Sequence, residues 1–357
     1  MYSFAVLDPR PHAQHANTAT LAGPVLGVEV TVPALAQACS LGNIDPQHLG
    51  ADAATAAIEA ALAWPLPPAG ATLATVRADA DALGAMAVLL LRANGSPLLA
   101  GAIERIQIIA EADKEAAGPW PGPRPAPTPE DLLGPATPVM HLAADHTRPL
   151  KERVELIAEW IGHGKDAAAE AILAGYQERA LAEAREALES LTVQAGPVAV
   201  VTGSHRLAMG LGYRYAPVVV ACNPAFRFAG GEPHRKHTVA RWNSVTIVEL
   251  EWAAMVEELN AADPAATDTA RWGGSTSIVG SPMGIASGLS AEQVAAIVRE
   301  HVRSGLLDMC RELVRYMDHY DVLQQRGESY DAADAATVRA QHQWARAALA
   351  ELDGEHS

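Results

Sequence analysis

The clearest chemical capacity in this sequence lies in two carboxylates two residues apart, Asp79 and Asp81. Oxygen donors in that pattern suit a hard divalent cation, manganese or magnesium. A second set, His141, Asp145 and His146, offers nitrogen beside oxygen and would suit manganese or iron. A third is basic. His205, Arg206, Arg214, Arg227, His234, Arg235, Lys236, His237 and Arg241 gather in one part of an acidic chain. Arginine forks match phosphate or carboxylate groups through paired hydrogen bonds, so this part reads as an anion pocket or as an exposed loop. Asn43, Asp45, Gln47 and His48 crowd one stretch ahead of the first pair. It reads either as a turn before a helix over 51–63 or as a loop whose Asp45 or His48 reaches a site.

The elements that must position these groups follow from patterning. Residues 71–76 are an apolar strand, followed by Asp79, Asp81, Gly84 and an apolar helix to about Leu91. Ligands gather outside the carboxyl ends of strands in open α/β sheets, and unpaired helix amides there favour anions. The plainer reading of the same residues is a loop with an aspartate capping the helix. Leu26–Val32 alternates as a strand does. Residues 139–143 are expected to form another strand, delivering His141, Asp145 and His146. Leu98–Ala112 has helical spacing, and prolines over 118–138 exclude a single helix and suggest a loop or lid arm. Further strands are expected over 197–202, 217–222 and 245–250. Ser290 and Gln293 form a capping box that opens a long helix. The glycine- and serine-rich run from Gly273 and Gly274 to Gly288 could bring backbone close to a ligand or form plain turns.

Three of these segments resemble motifs of the DHH phosphoesterase superfamily. Residues 78–85, with Asp79, Asp81 and Gly84, resemble its first motif, roughly His-x-x-Pro-Asp-x-Asp-x-x-Gly-Ser. Asp145 and His146 follow an apolar run, as the family's Asp-His-His does, and the segment 273–284 resembles the glycine-rich substrate loop of the associated C-terminal domain. The matches are islands between residues 71 and 290. The first-motif His falls on Thr75, its Pro on Ala78 and its Ser on Ala85; the second His of Asp-His-His is Thr147, and the glycine loop lacks its usual His. The chain thus looks like a divergent member. The resemblance implies one or two manganese ions, or another divalent metal, on Asp79, Asp81, Asp145 and an intervening aspartate, for which Asp113 is the candidate and Glu111 the second. His48 would stand in for the ligand missing at Thr75, and Asp145 and His146 would be catalytic, His146 as ligand or proton shuttle. Arg206, Arg214, His205, Asn43, Gly273 and Gly274 would hold the substrate.

Composition narrows the classes. A net charge of −16 over 357 residues argues against binding long nucleic acid, which needs a positive stripe. The three cysteines are isolated, so a zinc knuckle is not expected and a reducing compartment is. No basic leader with an apolar core opens the sequence and no apolar run would span a bilayer, so a cytoplasmic protein with no membrane partner is expected. Neither a Gly-x-Ser-x-Gly elbow, nor a phosphate loop, nor a dinucleotide fingerprint occurs.

The expected fold is α/β, with a mostly parallel sheet flanked by helices and a smaller C-terminal α/β lobe. The expected division is a metal-binding domain over 1–165, a connecting helix over 166–193, a substrate domain over 194–325 and a helical tail over 326–357, with the active site in the cleft. The expected function is metal-dependent hydrolysis of a phosphoester or phosphoanhydride of a small or nucleotide substrate. The alternatives are hydrolysis of a C–N or C–O bond in a small carboxylate, or nucleotide binding without catalysis. Apolar faces on the C-terminal helices would suit a homodimer.

Overall fold

The computed structural model describes residues 2–21, 23–46, 55–114, 120–124, 126–227, 231–242, 249–275, 277–325 and 332–354. The protein is α/β and divides into two units, one of residues 1–115 and 133–182, the other of 116–132 and 183–357. No helix among the described residues is long and apolar enough to cross a membrane.

The first unit runs β1 (Ser3–Val6), α1 (Pro11–Thr20), β2 (Val25–Val28), α2 (Pro33–Ala38), β3 (Asn43–Ile44), α3 (Ala57–Ala60), β4 (Thr72–Thr75), α4 (Ala80–Ala93) and α5 (Ala100–Asp113). After residue 132 it continues through α6 (Thr137–Ala144), α7 (Leu150–His163) and most of α8 (Glu170–Ser190). Its four strands lie in the order β1-β4-β2-β3, and all three pairings are parallel. All four residues of β2 are buried, as expected of a parallel strand covered on both faces. The central helix α4 buries residues 81–89 without a break, so it has no solvent face over that stretch. Gly84 sits where α3 crosses it, and a Cβ there would meet Ile58 Cδ1 at 2.6 Å.

Two expectations are corrected here. Residues 139–143 are not a strand but part of α6. Pro138 at its start has the fixed φ of a first helical turn, and Val139, Leu142 and Ala143 are buried at positions i, i+3 and i+4. Of the helix expected over 51–63, residues 51–54 lie outside the described residues and only Ala57–Ala60 are helical in the rest.

The second unit contains β5 (Thr192–Gln194), β6 (Ala199–Thr202), α9 (Ala208–Gly212), β7 (Val218–Phe226), β8 (His234–Arg241), α10 (Glu249–Ala262), β9 (Gly273–Gly274), β10 (Ile278–Gly280), α11 (Ala291–Gln325) and α12 (Ala332–Gly354). The sheet order is β5-β6-β7-β8-β10-β9, with only β6 and β7 parallel. Val218, Val220 and Val239 pack with Val294, Val298 and Val302 of α11. Ser290 and Gln293 bond each other's backbone at the start of that helix, as the capping box requires. Part of the strand expected over 245–250 lies outside the described residues, and Glu249 and Leu250 open α10 instead. In the described part of the proline-rich segment, Trp120 is buried and packed. Trp120 meets Trp344 edge-on at 4.7 Å, its Nε1 donates to the Tyr213 carbonyl at 2.8 Å, and Gln341 Nε2 donates to the Trp120 carbonyl at 2.8 Å.

Candidate metal centre

Carboxylates collect at the carboxyl ends of the parallel strands of the first unit. Glu29 follows β2, Asp45 follows β3, and Asp79 and Asp81 follow β4 into α4. Asp113 closes α5. One oxygen each from Glu29, Asp81 and Asp113 lies within 4.8 Å of the other two. Oxygens on opposite sides of a hard cation, each about 2.1–2.5 Å from it, stand roughly 4.2–5 Å apart, so these three span the distance one ion needs. Glu29 and Asp81 are buried and Asp113 is exposed, which gives the trio one open side.

Each member is held by identifiable contacts. Asp79 caps α4 by accepting the Ala82 amide at 3.1 Å, and Arg77 lies 3.4 Å from its other oxygen. Asp81 accepts the amides of Ala57 at 2.7 Å and Ile58 at 2.9 Å, one on each oxygen, so α3 is docked on this side chain. Glu59 closes that turn by accepting the Ala56 amide at 2.9 Å and pairs with Lys114 at 2.6 Å. Lys114 follows Asp113 directly, so the ion pair ties the end of α5 to the helix docked on Asp81. Glu29 is placed by backbone. It is the one non-glycine with positive φ among the described residues, at +50°, and its amide donates to Ile44 at 2.9 Å. Asn43 clamps the next residue, with Oδ1 accepting the Val30 amide and Nδ2 donating to the Val30 carbonyl, each at 3.2 Å. A left-handed glutamate costs on the order of 1 kcal/mol, and such positions concentrate at functional sites.

The electrostatics follow from burial. Desolvation, with Asp81, Asp79, Asp113 and Asp45 adding to it, pushes the Glu29 carboxyl up to about 10. Asp81 is pushed up to about 7 by burial and then by Asp113; the amides of Ile58 and Ala57 oppose this and Asp79 adds to it. A cation among these oxygens reverses that logic, since it favours the charged form of every neighbour. The donor set is all oxygen, which fits magnesium, manganese or calcium rather than a thiolate- or imidazole-seeking metal.

Of the residues expected at the metal, Asp81 and Asp113 meet here; Asp79 caps α4 and only adds its charge nearby, and His48 lies outside the described residues. Asp145 ends α6 and is engaged elsewhere: Tyr176 Oη donates to it at 2.5 Å, the Thr147 hydroxyl at 2.5 Å and the Thr147 amide at 3.0 Å, with Arg148 at 3.7 Å. These contacts hold its carboxyl down at about 2. His146 is exposed in the turn that follows. Thr75, where the resemblance expects a histidine, is buried and bonds the Arg77 backbone through its hydroxyl, accepting at 3.2 Å and donating at 2.9 Å. Glu29 was not among the sequence candidates. The signal for it was a lone acid inside the apolar run Leu26–Val32, since a buried glutamate is rare without a role.

The expected substrate residues are engaged elsewhere, except that the Arg214 Nε is buried without a hydrogen-bond partner among the described residues. Asn43 is the clamp just described. In the second unit, Arg206 is exposed and its Nε donates to Glu183 at 2.9 Å. His205 accepts the Leu207 amide at 3.2 Å. Burial lowers the Arg214 guanidinium, with Asp131 opposing, and its carbonyl accepts the Arg124 amide at 2.5 Å. Gly273 and Gly274 form the short edge strand β9, and a Cβ on Gly274 would meet the Ile278 carbonyl oxygen at 2.1 Å, so strand pairing alone accounts for that glycine. No family model matches the chain, and no curated protein matches it.

Proposed function

We propose that the chain is a metal-dependent hydrolase of the DHH phosphoesterase kind, cleaving a phosphoester or phosphoanhydride bond of a small or nucleotide substrate. The observation that carries this reading is the convergence of Glu29, Asp81 and Asp113 at the carboxyl ends of parallel strands. Their oxygens would hold manganese or another divalent ion, with Asp45 and Asp79 adding negative potential close by. Such an ion supplies an acidified water and neutralises charge on the attacking and leaving oxygens of a phosphoryl group. The protein's part is preorganisation. The amides of Ala57 and Ile58 fix Asp81, and Asn43 fixes the backbone beside Glu29, so the donors need little rearrangement when charge develops. Burial of Glu29 and Asp81 keeps bulk water off one side, and exposed Asp113 leaves the other to substrate. The all-oxygen set favours this chemistry over the alternative C–N or C–O hydrolase with a different metal centre.

The test is turnover of bis-p-nitrophenyl phosphate and short dinucleotides by protein supplied with manganese, against protein stripped with EDTA and against Asp113→Asn. Loss of turnover by about a hundredfold or more on stripping and in the variant is expected. A protein that binds manganese yet turns over no phosphoester would sink the hydrolase reading and leave a binding role.

A further inference from the structure

Helix α3 is a single turn, Ala57–Ala60, and a turn that short has no stability of its own in water. Ile58 is fully buried and anchors it by packing. Its polar anchors are fewer and more specific. Asp81 accepts the Ala57 amide on one oxygen at 2.7 Å and the Ile58 amide on the other at 2.9 Å. Glu59 accepts Lys114 Nζ at 2.6 Å, and the same oxygen accepts the Ala56 amide at 2.9 Å. Both anchors belong to the acidic cluster or sit next to it. Asp81 is one of the three clustered carboxylates, and Lys114 directly follows Asp113, another of them. The short helix thus hangs from two of the three residues that would hold the ion.

We propose that α3 is a latch coupled to the metal: a divalent ion on Glu29, Asp81 and Asp113 locks it down, and loss of the ion lets it lift. The latch rests on the metal-centre reading above. Without an ion, three carboxylates whose oxygens lie within 4.8 Å of one another repel. Movement of Asp81 pulls on the amides of Ala57 and Ile58, and movement of the end of α5 pulls Lys114 from Glu59. An ion removes the repulsion and fixes both anchors at once. Coupling of this kind is reciprocal, so a change that loosens α3 weakens the ion by the same factor. Glu59 is then a positioning residue, acting on the centre through Lys114 and the α3 backbone. Glu59→Gln keeps an oxygen for the Ala56 amide and removes the charge that faces Lys114.

The test is amide hydrogen exchange of full-length protein in EDTA and in saturating manganese, read on peptides covering residues 55–63, with manganese affinity measured by calorimetry. These residues are expected to exchange at least about fivefold more slowly with manganese. Helix α7, which carries none of the three carboxylates, should change less. Asp113→Asn should lose the manganese effect, and Glu59→Gln should bind manganese at least about fivefold more weakly. The wild-type exchange decides the matter even if a variant fails to fold. Manganese binding with no slowing at 55–63, a slowing that α7 shares equally, or undiminished affinity in Glu59→Gln would overturn the latch and leave the metal centre standing. No manganese binding to wild type would overturn both.

Discussion

The acidic cluster after β2, β3 and β4 and the basic run on β8 are both groups of like charge with buried members, and they differ in where their hydrogen bonds go. On β8 each side chain ends on a carbonyl of one loop, so the charges serve to hold backbone. Around Glu29 and Asp81 the carboxylates face one another, and burial, with repulsion from neighbouring carboxylates adding to it, lifts both carboxyl groups well above the ordinary range. Concentrated charge in a sequence is therefore not evidence of a ligand site. What separates the two regions is that the acidic oxygens, besides accepting backbone amides, lie close to one another, whereas each β8 side chain reaches a separate carbonyl.

The largest effect expected from breaking this contrast is at Asp81. Asp81→Ala leaves the amides of Ala57 and Ile58 without their acceptor, and a stability loss of about 2–4 kcal/mol is expected by urea denaturation. Next is Glu29→Gln. The side chain is already protonated at neutral pH in metal-free protein, so stability should change by less than about 1 kcal/mol while manganese affinity falls at least about tenfold.

The pH response should then differ in direction between the regions. Asp81 has a folded value near 7 against an ordinary 3.8. Its relative contribution is present below 3.8 and is lost as pH rises through about 7, so the melting temperature of EDTA-treated protein should fall between about pH 4 and 7. Manganese should flatten that fall, whereas Asp81→Asn should only lessen it, because Glu29, raised to about 10 from 4.5, loses its contribution over the same range and beyond. His237 is lowered from 6.5 by burial, with Arg235 adding and the Leu289 carbonyl, Asp263 and Glu292 opposing. Its contribution is present above 6.5 and is lost as pH falls through the lowered value, and manganese should leave it untouched. The smallest effect is at Arg206. Its exposed pair with Glu183 should be worth less than about 0.5 kcal/mol, and Arg206→Ala should melt as wild type does.

Local patterns were legible in the sequence. The strand and capped helix around Asp79, the helix of residues 100–113 and the capping box at Ser290 rest on neighbours in the chain, and the structure has them. The carboxylates at 79, 81 and 113 were legible as types and spacing. Glu29 was not, because its placement depends on a left-handed backbone turn and on Asn43, fourteen positions later in the chain. The error at 139–143 came from reading Pro138 as the end of a loop when it was the first turn of a helix. The basic residues of β8 read in the sequence either as an anion pocket or as an exposed loop, because their acceptors, the carbonyls of residues 281, 287 and 289, are some fifty positions away and carry no side-chain signature.

The most direct test of the central claim is a calorimetric titration of manganese into EDTA-stripped wild type and Glu29→Gln. Binding of about one ion per chain, weakened at least about tenfold in the variant, is the predicted result. The absence of binding heat in both proteins, or equal binding in both, would contradict the assignment of Glu29, Asp81 and Asp113 as a metal centre.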